Sequence, residues 1–236
     1  LSNKLINTIS MSSPFRWGIL GLGKIAHKFA QDLQLIENAE LYAVASRSQE
    51  RADTYAKKYN AQKAFNSYEA LATCKELDAI YIATPHSSHF ENTILCLENK
   101  IPVLCEKAFA MNAQQVKQMI ACAKENGVFL MEALWTRFLP AYQKMLNEVK
   151  LGEIGDIINI KADFSFKADF VPERRVFNRD LGGGALLDIG IYPIFLAISL
   201  LGKPAEIKAV ATFGKTNVDE SCAMVFKYPT NQLAIL

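Results

Sequence analysis

A short apolar run, Phe15 to Leu20, leads directly into Gly21, Leu22, Gly23, Lys24, Ile25 and Ala26, and a helical pattern follows from Lys24 to Glu37. A strand, a G-x-G-x-x-A turn and a helix in immediate succession leave few folds open. Gly21 permits the tight turn. Gly23 lets a pyrophosphate approach the free N–H groups at the helix start, and Ala26 lets helix and sheet pack closely. The motif is weak by itself and gains meaning from the strand before it and the helix after it. These six residues are a candidate dinucleotide-phosphate loop.

The pattern downstream repeats the same grammar. Leu41 to Ala45 predicts a strand, and Gln49 to Tyr59 a helix with Ala52, Tyr55, Ala56 and Tyr59 on one face. A short helix is expected near Ser67 to Thr73, a buried strand at Asp78 to Ala83 and a helix at Ser88 to Asn99. Val103 to Cys105, Ala113 to Asn126 and Val128 to Met131 continue as strand, helix and strand. Such alternation implies a parallel, doubly wound sheet.

After about Glu132 the grammar changes. Arg137 to Lys150 predicts a helix with Pro140 in its first turn, and Asp156 to Phe166 a long strand. A helix led by Gly182, Gly183 and Gly184 precedes Ala205 to Phe213, Cys222 to Tyr228 and Gln232 to Leu236, three runs expected to pair antiparallel. The fold class is α/β: a Rossmann domain over residues 14–132, then an α+β domain over 133–236 with an open, mainly antiparallel sheet. The chain stops inside a strand pattern, so the second domain is expected to be incomplete.

With 26 basic against 24 acidic residues, the net charge is +2, and no basic patch points to nucleic acid. No apolar run is read as long enough to span a membrane, because Ile189 to Leu201 carries Tyr192, Pro193 and Ser199. Residues 1–10 do not read as a signal peptide, and Met11 is a plausible start. Cys74, Cys96, Cys105, Cys122 and Cys222 form no C-x-x-C pair, which suits thiols in a reducing cytoplasm.

Four further segments carry candidate chemistry. At the end of the second strand stand Ser46, Arg47 and Ser48, with Arg51 a turn on, where NAD sites usually place a carboxylate. Hydroxyls and guanidinium groups suit a 2′-phosphate, so NADP(H) is expected; stacking of Arg47 on adenine is the alternative. Thr84, Pro85, His86 and His89 follow the Asp78 to Ala83 strand at its ligand-binding end. No cysteine or acid lies at ligand spacing from the two histidines, so no metal is expected; cofactor contacts or loop capping remain. Glu106 and Lys107 end the next strand, where an ammonium could lower a phenol's pKa or bind a substrate oxygen. Finally, Asp188 and Tyr192 lie four apart, on one face of a helix, and together can handle a proton. Tyr192 as a core aromatic and Asp188 as a cap or ion-pair partner are the alternatives.

With these pieces in order, the chain resembles the Gfo/Idh/MocA oxidoreductases, and within them the dimeric dihydrodiol dehydrogenase branch that includes NADP-dependent D-xylose dehydrogenases. The residues carrying this are CEKAF (105–109), FLMEALWTRFLP (129–140) and GGGALLDIGIYP (182–193). The resemblance runs from about Phe15 to the end. The family's E-K-P motif corresponds to Glu106-Lys107-Ala108, with alanine replacing proline, and its D-x-G-x-H/Y motif to Asp188–Tyr192. It implies that Trp135 and Arg137 line the cofactor and substrate cleft, with Phe164 and Phe177 to Arg179 as further walls. It also implies homodimers formed through the open sheet.

The expected activity is hydride transfer between NADP(H) and an alcohol or carbonyl carbon of a sugar, polyol or trans-dihydrodiol. Tyr192 would carry the proton, Lys107 would favour its phenolate, and Asp188 would orient Lys107 or a substrate hydroxyl. Two other classes stand beside it: a non-catalytic NADP(H) sensor, and a methyltransferase-like protein using S-adenosylmethionine.

Overall fold

The computed structural model describes residues 13–236; the Met11 start and the 1–10 segment lie outside the described residues. Strands β1 (Phe15–Leu20), β2 (Ala39–Ala45), β3 (Lys63–Phe65), β4 (Ala79–Ile82), β5 (Val103–Glu106) and β6 (Leu130–Ala133) form one sheet in the order β3-β2-β1-β4-β5-β6. The pairs β1–β2, β1–β4, β2–β3 and β4–β5 are all parallel. The order reverses between β1 and β2 on one side and β4 on the other, the switch point where doubly wound sheets bind ligands.

Helices α1 (Lys24–Leu33), α2 (Gln49–Tyr59), α3 (Tyr68–Ala72), α4 (His89–Glu98) and α5 (Ala113–Asn126) connect these strands. α2 shows how local chemistry sets the ends. Ser48 accepts the Arg51 N–H, Glu50 lies in the first turn, Lys57 and Lys58 in the last, and Asn60 closes it at φ 58°. Its buried face is Ala52, Tyr55, Ala56 and Tyr59.

The described residues cluster into two compact units: 13–84, 91–105 and 117–131 in one, and 85–90, 106–116 and 132–236 in the other. The segments carrying His86, His89 and Lys107 thus cluster with the C-terminal part.

There, a 3₁₀ turn at Trp135–Phe138 precedes α6 (Pro140–Leu151), with Pro140 at its first position. Strands β7 (Asn159–Lys161), β8 (Glu206–Phe213), β9 (Asp219–Lys227) and β10 (Leu233–Ile235) form a second sheet ordered β7-β10-β9-β8. β8, β9 and β10 are antiparallel, and β7 joins β10 in parallel. The long strand expected over 156–166 is regular only over Asn159–Lys161, which pair with β10. Helix α7 (Ile191–Leu201) lays Ala197, Ile194, Leu196, Leu200 and Leu201 against a core of Ile160, Met224, Phe226, Tyr228 and Ala234.

One reading of the sequence needs correction. The helical stretch Arg179–Leu201 is, by length and composition, apolar enough to cross a membrane. Short turns before Asp188 extend the apolar helix backwards beyond Ile189. Its α7 part packs onto the second-sheet core, and Asp188 within it holds two cations.

Candidate functional site

The glycine loop has the conformation its residues imply. Gly21 sits at φ 90°, and a Cβ there would lie 2.8 Å from Thr84 Cγ2 and 3.0 Å from its backbone nitrogen, so only glycine fits. A Cβ on Gly23 would meet nothing nearer than 3.7 Å, leaving open space over the helix start. Gly23 caps α1 without a side-chain acceptor, and Lys24 and Ile25 are exposed beside it. Ala26 is fully buried against the sheet. Unclaimed N–H groups, open space and a buried alanine fit a pyrophosphate.

At the end of β2, Ser46 is buried, Arg47 is exposed and Ser48 caps α2. Arg51 donates from Nη2 to the Leu22 carbonyl at 3.3 Å, bracing the glycine loop. No acid occurs from residue 46 to 49, so a ribose here meets hydroxyls and guanidinium groups. Thr84 accepts the Asn92 amide at 3.1 Å, which holds the end of β4 to α4.

In the other unit, Lys107 follows β5 and points its ammonium at Asp188, 3.0 Å from Oδ1 and 2.5 Å from the backbone oxygen. Arg175 reaches the same Oδ1 through Nη2 at 2.9 Å. Burial would raise the Asp188 pKa, but the Lys107 and Arg175 charges and hydrogen bonds outweigh it and hold the carboxyl below its ordinary value. Lys107 also lies 5.3 Å from the centre of the Tyr192 ring, and Phe164 packs on that ring at 5.3 Å. The exposed Trp135 stands near the Tyr192 hydroxyl and favours its charged form. Arg137 is exposed on the same short turn.

The helix pairing Asp188 with Tyr192 is not a plain α-helix. Leu186–Gly190 forms a π-helical turn, and α7 begins at Ile191. Pro193 lies just past that widened turn, one of the places where a helix absorbs a lost donor. The phenol also differs from expectation. Burial pushes the Tyr192 pKa up, and the Glu106 and Asp188 carboxylates push it the same way. Lys107 faces the ring and bonds Asp188.

The histidines brace backbone. His86 donates from Nδ1 to the Gly182 carbonyl and His89 to the Ala108 carbonyl, each at 2.8 Å. Burial draws His86 down to about 4, so it is neutral at ordinary pH. Among the described residues, no group of three or more His, Cys, Asp or Glu is placed to hold a metal. The glycine triplet leaves no room for side chains: a Cβ would lie 2.7 Å from His86 Cβ at Gly182, 2.6 Å from the Arg175 carbonyl at Gly183, and 2.0 Å from Asp219 at Gly184.

Two residues escape sequence reasoning. Arg175 stands in an arginine-rich stretch, 173–179, with no spacing that marks it. Glu132 accepts the Phe109 N–H at 3.2 Å, tying down the turn that carries Lys107, and burial raises its pKa. Its place inside the 129–140 segment is the available signal.

Residues 15–134 match the family described as oxidoreductase family, NAD-binding Rossmann fold, and residues 142–236 match the GFO/IDH/MocA C-terminal domain. Trans-1,2-dihydrobenzene-1,2-diol dehydrogenase of Mus musculus is 39% identical over 218 residues, covering 91% of this chain and 65% of that protein. The Xenopus tropicalis enzyme of the same name is 38% identical, covering 94% and 68%. Among solved structures, KijD10, a 3-ketoreductase from Actinomadura kijaniata in complex with NADP and TDP-benzene, superposes with a TM-score of 0.86 at 29% identity, covering 95% of this chain and 69% of that one. Aldose-aldose oxidoreductase from Caulobacter crescentus, complexed with glycerol, gives 0.87 at 26% identity, covering 94% and 70%. The chain therefore spans about two thirds of the relatives it matches, and it belongs to the GFO/IDH/MocA oxidoreductase family.

Proposed function

We propose that this protein is an NADP(H)-dependent oxidoreductase acting on a CH–OH or C=O carbon of a sugar, polyol or trans-dihydrodiol. The observation that carries the reading is one partly buried cluster in which a carboxylate, two cations and a phenol meet: Asp188, Lys107, Arg175 and Tyr192. The diol dehydrogenase relatives and the sugar-active structural neighbours support the substrate class.

Residues Gly21 to Ala26 would hold the pyrophosphate, and Ser46, Arg47, Ser48 and Arg51 the ribose end with its 2′-phosphate. The bound nicotinamide supplies or accepts the hydride. Tyr192 accepts the alcohol proton on oxidation and returns it to the carbonyl oxygen on reduction. Trp135 beside the phenol favours its charged form. Lys107 binds the substrate oxygen, and Phe164 forms the apolar wall beside it. We assign residues 14–132 to cofactor binding and 133–236 to substrate and subunit contacts. β8, at the edge of the second sheet, exposes Ile207, Val210 and Phe213, apolar side chains available to a second copy. None of the five cysteines is in a disulfide among the described residues, which is consistent with a reducing cytoplasm.

The test is turnover of the full-length protein, followed at the reduced-nicotinamide band with NADP and with NAD across D-xylose, D-glucose, myo-inositol and a trans-dihydrodiol. Turnover with NADP is expected. Tight NADPH binding with no turnover on any of them would favour the sensor role. Separately, Arg47→Ala combined with Arg51→Ala should weaken NADPH binding by about ten- to a hundredfold, the worth of one or two charge-assisted bonds. NADH affinity should change little. Equal losses for both cofactors in fluorescence titrations would assign these arginines to the adenine or the fold.

A further inference from the structure

Asp188 Oδ1 is shared. Lys107 and Arg175 approach it at 3.0 and 2.9 Å, and their side chains are 16% and 37% exposed against 11% for Asp188. One cation would suffice to compensate one carboxylate. The second raises the question of what the pair does that either alone does not.

The two cations differ in kind. Arginine stays charged at any working pH and offers a rigid fork, whereas lysine is a mobile point charge on a flexible stem. They also differ in mounting. Arg175 opens a short 3₁₀ turn whose backbone is locked to the glycine triplet: Gly184 N–H donates to Val176 O at 3.1 Å and Gly183 N–H to Asn178 O at 2.9 Å. Its Nη1 is buried without a hydrogen-bond partner among the described residues, so Asp188 is the anchor for this guanidinium. Lys107 comes from the end of β5 and lies over the Tyr192 ring.

We propose that Arg175 is the positioning residue of this site: it keeps the Asp188 carboxylate compensated, so that Lys107 can turn its ammonium from Asp188 to a substrate oxygen beside Tyr192. Without Arg175, any such turn would strand a buried carboxylate, and Lys107 would stay where it is. This rests on the oxidoreductase reading above and adds a residue to it. The charged groups facing the cluster are few. Glu106 and Lys107 come from the end of β5, Arg175 from its 3₁₀ turn, and Asp188 from the π-helical turn. His86 faces Arg175 and Lys107 from the loop after β4, with the His89 ring 5.6 Å behind it. The arginine charge also opposes the effect of Glu106 and Asp188 on the Tyr192 phenol.

Full-length wild type, Arg175→Gln and Arg175→Lys would be compared in two measurements. The first labels amines with acetic anhydride and reads the Lys107 peptide by mass spectrometry against exposed Lys208 in the same molecule. Lys107 should label several-fold more slowly in Arg175→Gln and recover in Arg175→Lys. The second is the pH profile of kcat. In Arg175→Gln, kcat should fall by about a hundredfold with NADPH affinity unchanged. The limb that belongs to Tyr192 should move to higher pH, and Arg175→Lys should restore it. Unchanged or faster Lys107 labelling in folded Arg175→Gln, or a rate loss with the limb in place that lysine does not rescue, would overturn the proposal. Should the glutamine variant not fold, Arg175→Met keeps the length and packing of the stem and is read the same way. Labelling needs no turnover, so an inactive wild type would remove the activity reading and still leave the role of Arg175 decided.

Discussion

Tyr192→Phe is expected to cut kcat by about a thousandfold, within the range that one positioned proton carrier contributes. NADPH binding should be nearly intact, because the residues proposed to hold the phosphates and the ribose lie in the other part of the chain, around Gly21 and Arg47. The pH dependence carries the same information. Burial and the two carboxylates raise the Tyr192 pKa, so oxidation, which needs the phenolate, should speed up as pH rises toward the alkaline range. Reduction needs the phenol and should slow over the same range. Both limbs should vanish in the phenylalanine variant, as read from steady-state rates in each direction. Activity equal to wild type would remove the tyrosine from the mechanism.

Asp188→Ala should be the most damaging change to stability in the second unit. It deletes the anion on which two partly buried cations converge, and breaking a buried pair from one side costs about 3–5 kcal/mol. Chemical unfolding would measure the loss, and kcat should fall with it because Lys107 loses its anchor. The pH sign follows from the lowered carboxyl. Asp188 stabilises the fold fully above its ordinary value of 3.8, and the contribution is lost as pH falls through the lower folded value. The alanine variant should therefore show a flatter acid limb than wild type. A variant as stable as wild type at neutral pH would mean that Lys107 and Arg175 find water as readily as they found the carboxylate.

The parts of the fold legible in the sequence are those specified by neighbours in the chain. α2 spans Gln49–Tyr59 as predicted, since Ser48 and Asn60 cap it from either end. Gly21, Gly23 and Ala26 take the places their motif requires for the same reason. What escaped was set by partners far along the chain. β3 is a three-residue strand paired to β2, too short to carry a pattern. β7 covers only Asn159–Lys161, because alternation from 156 to 166 does not say which of those residues find a partner strand. The π-helical turn before Tyr192 left no compositional mark. Motifs single out Lys107, Asp188 and Tyr192 as candidates, but Arg175 joins them by a side-chain contact across thirteen residues of turns and glycines.

The glycine triplet has a consequence for how such a protein can change over generations. A methyl group at any of residues 182–184 would collide with His86, backbone carbonyls or Asp219. Drift is therefore closed at the segment nearest the proton-handling residues. The irregular run from 163 to 174, largely exposed and outside any strand or helix, carries no such restriction. New substrate preferences in this lineage should arise there, by substitution around Phe164 and Phe170, while the chemistry behind them stays fixed.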